Sequence, residues 1–381
     1  MEMLTYHALA LGFIASAFKS SNSRLTKQRK VEILNTGMTT VATYLLQGFL
    51  GLGITMAAAK VISSFFPAAG ILLPFGYGQG TGQAMNYGNI FEQEFGFVGG
   101  KSFGLTVAAL GFLSASIGGV IHLSVMKRRG IVKSHSEEAA EITMENIQGK
   151  NEPPMEGSMD KMTEQIAIVM FSYLLAYVMM YVLGLLLPGM RNVIYGFNFI
   201  LGVAAASITK LIMRTLEESG LMRRQHTNSF LMVRCSNFFF DLMVVAGIAA
   251  IRLSILEQYW GIILILGIVG LVATYYYNRL VARLLFKEYE QEQFLAMYGM
   301  LTGTASTGVI LLREIDGNFK TPAADNMVFQ NLPAIVFGFP MMFLATYAPV
   351  NPILTLVILV VFFGVMNVLL FRSFIFKKKA K

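Results

Sequence analysis

The sequence predicts an all-α polytopic membrane protein with inverted structural repeats, each carrying a re-entrant glycine-rich hairpin. Three observations predict it: the composition, the spacing of the charge-free runs, and the side on which basic residues gather. Of 381 residues, 55% are hydrophobic and 14% charged, whereas soluble domains carry about 25% charged residues. The net charge of +8 does not describe a nucleic-acid surface, because the basic residues stand between long apolar runs. The single Cys235 gives no disulfide framework, and four scattered histidines give no metal centre, so no cofactor is expected.

Charge-free runs cover 3–18, 33–59, 61–91, 102–126, 165–190, 192–209, 258–278, 293–312 and 326–371, and a further run, 229–254, is interrupted by Arg234, Asp241 and Arg252. A spanning helix needs about 20 apolar residues, which most of these supply. Residues 3–18 lack a cleavage pattern and are read as a short span. The run 326–371 is too long for one helix and breaks at Thr346-Tyr-Ala-Pro-Val-Asn-Pro352.

Two runs do not suit straight helices. Residues 61–91 hold Pro67, Pro74 and the alternating Gly76, Gly78, Gly80 and Gly82. An interior glycine costs a helix roughly 1 kcal/mol and a proline about 3, so this run is expected to break near its middle. Residues 293–312 carry Gly299, Gly303 and Gly308 around four hydroxyl residues. Irregular backbone at membrane depth persists only where protein or a water-filled cavity satisfies its polar groups.

The positive-inside rule orients the chain. With both glycine-rich runs entering and leaving on one face, and the N-terminus outside, the inside segments hold 25 of the 30 Lys and Arg. Letting the first run cross would put Lys127, Arg128 and Arg129 outside. The expected organisation is a first, shortened repeat over 1–126 with its hairpin at 61–91 and a cytoplasmic linker at 127–164. An inverted second repeat over 165–346 follows, with its hairpin at 293–312, and 347–381 adds a C-terminal helix and basic tail. Inverted repeats with interrupted helices are a signature of secondary transporters.

The run Leu73-Pro-Phe-Gly-Tyr-Gly-Gln-Gly-Thr-Gly-Gln-Ala-Met-Asn86, continuing to Phe91-Glu-Gln-Glu-Phe-Gly-Phe97, resembles the first hairpin motif of the sodium/glutamate symporter family. Leu46-Gln-Gly-Phe-Leu-Gly-Leu-Gly-Ile54, Gly111-Phe-Leu-Ser-Ala-Ser-Ile-Gly-Gly119, Thr302-Gly-Thr-Ala-Ser-Thr-Gly308 and Asn331-Leu-Pro-Ala-Ile335 fit the same pattern, so the resemblance covers roughly 5–345. It implies sodium-coupled symport of glutamate or a related carboxylate across the cytoplasmic membrane by a homodimer, and no enzymatic activity. The chain departs from the family in lacking its first two helices and in a second motif poorer in glycine.

Such a site binds a carboxylate at half-helix N-termini, where unpaired N–H groups meet negative charge. The expected substrate residues are Gln79, Gly80, Thr81, Gln83, Asn86, Thr302, Gly303, Thr304, Ser306 and Thr307. Sodium is expected near Gly78, Gly82 and Ala305, with Asp241 a further cation or proton site. Small and hydroxyl residues also permit close helix packing, which is the plainer role for any one of them. Gln47 and Asn198 are read as interhelical hydrogen-bonding groups. An ion channel, an intramembrane enzyme using Asp241, or a transporter of another anion is the alternative.

Overall fold

A computed structural model describes residues 1–18, 26–131, 160–188, 194–195, 198–222, 224–251, 257–317 and 320–375. The central part of the 127–164 linker, Arg252 and the Lys377–Lys381 tail lie outside the described residues. Among the described residues the chain is helical without strands. Seven helices among the described residues are long and apolar enough to cross a membrane. They are α2 (Lys27–Val61), α5 (Gly100–Arg128), α6 (Lys161–Leu186), α7 (Asn198–Glu218), α8 (Ser229–Ala249), α9 (Trp260–Leu285) and α14 (Pro352–Leu370). Helix α1 (Glu2–Ala17) has 16 residues, short of the about 20 that a straight crossing needs.

Local chemistry sets the helix ends. Thr26 caps α2 by accepting from the Arg29 N–H at 3.3 Å, and Asp160 caps α6 through the Thr163 N–H at 2.8 Å. Asn351 caps α14 through the Leu354 N–H, with Pro352 in its first turn. A side-chain oxygen there satisfies a donor that the helix itself cannot, and proline there gives up no hydrogen bond. The break expected before Pro352 is therefore found.

Both glycine-rich runs are interrupted helices. In the first, a short turn over Ala69–Ile71 leads to α3 (Leu72–Gln79), the chain breaks at Gly80, and α4 (Thr81–Phe95) follows. Gly80 has φ 83 and ψ −174, where a Cβ would be strained. The prolines do not make this break: Pro67 lies in the connection before α3, and Pro74 sits in the first turn of α3, where a proline is tolerated. In the second, α10 (Glu290–Thr302) and α11 (Ala305–Arg313) flank Gly303 and Thr304. These two helices lie against each other so closely that a Cβ on Gly299 would meet the Gly308 Cα at 2.7 Å. The run 326–346 is also divided, into α12 (Ala323–Phe329) and α13 (Asn331–Tyr347), with Pro340 inside the latter. The chain ends its described part with α15 (Arg372–Ile375).

The chain forms two compact units that do not follow the sequence halves. One holds α1, α6, α7 and α8 around Leu11, Ile14, Phe18, Val169, Met232 and Cys235. The Ser236 hydroxyl donates to the Gly12 carbonyl at 2.9 Å, and the Asn198 amide donates to Tyr6 O at 3.0 Å, so Asn198 acts as the interhelical group that its position predicts. The other unit holds all remaining helices. Each half of the sequence supplies it with a long helix, a broken pair and a further helix, in that order: α2, α3–α4 and α5, then α9, α10–α11 and, after the short α12, α13.

Candidate functional site

Helix α2 touches both breaks. The Tyr44 hydroxyl donates to the Gly78 carbonyl at 3.0 Å, two residues before the first break. One turn on, Gln47 Nε2 donates to the Leu301 carbonyl at 3.0 Å, two residues before the second. Helix α5 does the same from another side: a Cβ on Gly111 would run into the Thr302 carbonyl and come within 3.2 Å of the Tyr77 Cα. The Tyr77 hydroxyl donates to the Gly267 carbonyl of α9 at 2.6 Å and bonds Ser114 of α5 at 2.9 Å. Three long helices thus converge on the last turns of α3 and α10, and the close contacts explain Gly78, which packs on the Tyr44 ring, and Gly111.

The residues expected at the first break are gathered and enclosed. Gly78, Gly80, Thr81, Gly82, Gln83 and Asn86 are buried, and Gln79 is half-buried. Thr81, Gly82 and Gln83 form the first turn of α4, which has no side-chain cap. Gln83 decides the character of the place. Its side chain is fully enclosed, at 0% exposure, yet neither Oε1 nor Nε2 has a hydrogen-bond partner. Burying an amide without partners costs roughly 1–3 kcal/mol per polar group. A fold that carries that cost on both atoms of one amide has left a donor and an acceptor for something else.

The second break is more open. Thr302 is buried, and its hydroxyl is returned to the Tyr298 carbonyl at 2.6 Å. Gly303 is buried, Thr304, Ser306 and Thr307 are half-buried, and Ala305 is exposed. The Thr304 and Thr307 hydroxyls bond each other at 3.4 Å across the first turn of α11, which also has no side-chain cap. Two helix N-termini, where the dipole is positive, therefore start at the breaks without a side-chain cap.

Asp241 lies in the other compact unit, the four-helix one, on an exposed face of α8 together with Arg234 and Asn237. Arg234 lies over the Phe230 ring at 4.7 Å, and no ion pair among the described residues joins it to Asp241. The acidic residues near the pairs have structural partners: Glu92 accepts from the Lys101 N–H at 3.3 Å, and Asp316 accepts from the Lys320 and Thr321 N–H groups, each at 2.8 Å. A groove of about 700 Å³ lined by Pro340, Phe343, Tyr347, Ile358 and Phe362 is apolar and shares no residue with the breaks.

Reading the sequence alone found the first-break residues but missed Tyr44, Tyr77 and Ser114, whose partners are far along the chain. Gln47 was visible as a polar residue in an apolar span and as part of the Leu46–Ile54 run on α2. Compared with family profiles, characterised proteins and solved structures, the chain shows no match.

Proposed function

We propose that this chain is a secondary active transporter that couples inward sodium flow to uptake of glutamate or a related amino-acid carboxylate across the cytoplasmic membrane. Gln83 carries the reading. A buried amide with both its donor and its acceptor unused matches a zwitterion, whose carboxylate accepts from Nε2 and whose ammonium donates to Oε1. The uncapped N-termini of α4 and α11 add positive potential for the carboxylate. Thr81 and Asn86 at one break, with Thr304, Ser306 and Thr307 at the other, complete the substrate set. Sodium binds at oxygen atoms of the same region, near Gly78, Gly82 and Ala305.

In this reading the two broken pairs are re-entrant and belong to inverted repeats. The matching order of elements in the two halves and the positive-inside count support this. The N-terminus is outside and the C-terminus cytoplasmic, and the working form is a homodimer. Because the first break is enclosed, substrate enters only when one helix pair moves, which is the gating that alternating access requires.

Uptake of radiolabelled glutamate into proteoliposomes tests the proposal. We expect uptake that needs an inward sodium gradient, and its loss to background in Gln83→Leu, a substitution that keeps the side-chain volume. Uptake by Gln83→Leu at the rate of the unaltered protein would remove the site from the first break. Sodium-dependent uptake of a different carboxylate in place of glutamate would keep the mechanism and change the substrate.

A further inference from the structure

Between α2 and α9, four polar side chains interleave. Thr43 and Gln47 lie one turn apart on α2, and Thr274 and Asn278 lie one turn apart on α9. All four are buried, none above 1% exposure. Gln47 Nε2 donates to the Thr274 hydroxyl at 2.8 Å as well as to the Leu301 carbonyl at 3.0 Å. Asn278 Nδ2 donates to the Thr274 carbonyl at 3.0 Å and to the Thr43 hydroxyl at 3.3 Å. The two amides therefore straddle a single residue, Thr274.

Their orientations are fixed. Each amide nitrogen faces a backbone carbonyl, which only a donor can satisfy, so a flipped amide would set oxygen against oxygen. The ends left over are Gln47 Oε1 and Asn278 Oδ1, and neither oxygen meets a donor. Thr43 spends its own hydrogen on the Thr39 carbonyl at 2.7 Å, so its oxygen is an acceptor too. The groups that these two amides meet are neutral hydroxyl and carbonyl oxygens, none of them a carboxylate. Hard divalent ions draw on carboxylates or keep much of their water. A monovalent ion can exchange its water for neutral protein oxygens, as carbonyls do in potassium filters.

We propose that Gln47 Oε1 and Asn278 Oδ1, with the Thr43 and Thr274 hydroxyls, bind a dehydrated alkali-metal cation between α2 and α9. This site differs from the break-region positions near Gly78, Gly82 and Ala305. Binding itself stands apart from the transport reading, but the role as coupling ion rests on it. That role follows from Gln47: the amide whose oxygen holds the ion also holds the Leu301 carbonyl at the end of α10, so ion occupancy fixes the second break.

Thermal unfolding of the purified full-length protein in detergent, without substrate, tests the site. NaCl, KCl, LiCl and choline chloride are compared at equal ionic strength. We expect a saturable rise in Tm with at least one alkali cation over choline. Gln47→Met and Asn278→Leu are each expected to weaken the apparent affinity at least tenfold. Asn198→Ser, which removes another partnerless amide oxygen in the four-helix unit, is expected to leave it unchanged. If the apolar variants do not fold, Asn278→Ser supplies the test, because a hydroxyl there still donates to the Thr274 carbonyl one turn back while the amide oxygen is gone, and it is expected to weaken cation binding at least tenfold. No alkali-specific shift in the unaltered protein would show that water fills the place and would overturn the site. So would a shift of unchanged affinity in Asn278→Leu, or in Asn278→Ser where that variant stands in for it. A cation-dependent Tm without glutamate uptake would keep this site and remove the transport reading. Sodium-driven uptake with unaltered ion dependence in the Asn278 variants would do the reverse.

Discussion

At the scale of the residue, single polar side chains in an apolar setting separate structure from function by whether their hydrogen bonds close. Thr302 returns its hydroxyl to Tyr298, Thr106 to Ser102 and Thr55 to Pro67, and such groups hold helices in place. Gln83 closes nothing. Replacing it with leucine removes two unpaired polar atoms and puts apolar volume in their stead, a change that is neutral or stabilising when no partner is lost. We therefore expect Gln83→Leu to raise Tm in detergent without ligand by a few degrees while transport is lost, a trade seen where a site is held at the expense of stability. A drop in Tm would mean that Gln83 has a structural partner and would weaken its assignment to the substrate.

At the scale of the element, the glycines of the two interrupted runs divide into distinct roles. Gly80 supplies a backbone angle. Gly299 and Gly308 let α10 and α11 approach, since a Cβ on Gly308 would run into the Ala296 carbonyl and reach the Met300 N at 3.1 Å. Packing of this kind resists extra methyl groups, at a cost of typically 1–3 kcal/mol. Gly364 in α14 has open space around it, and alanine there gains helix propensity of about 1 kcal/mol. Thermal melts of the two alanine variants are expected to move in opposite directions, Gly308→Ala down and Gly364→Ala up. The sequence marked both runs as broken, yet it could not tell that Pro74 is harmless and Gly80 decisive, because that depends on where the helix starts.

At the scale of the whole molecule, the positive-inside count gives a topology that can be read by labelling. Cys235 is buried, so its thiol gives a low background against a membrane-impermeant maleimide. Lys60 and Lys287 are exposed and are expected on opposite faces. In intact cells, Lys60→Cys should label from outside and Lys287→Cys only after permeabilisation; equal labelling of both would undo the orientation and the re-entrant reading with it.

The class of the protein was legible in the amino-acid sequence. Hydropathy and charge spacing are properties of composition along the chain, and a bilayer reads them directly, so the long helices and the two interruptions were legible residue by residue. The first-break residues were legible as a glycine and amide cluster. What surrounds them was set by packing between distant helices. Tyr44 meets Gly78, Gln47 meets Leu301 and Thr274, and Asn278 meets Thr43, across gaps of 34, 254, 227 and 235 residues. No local pattern encodes such pairings, because a buried amide is costly or useful only according to the partners that packing brings to it. The same packing set Asp241 on an exposed face of the four-helix unit and left the oxygens of Gln47 and Asn278 without a donor.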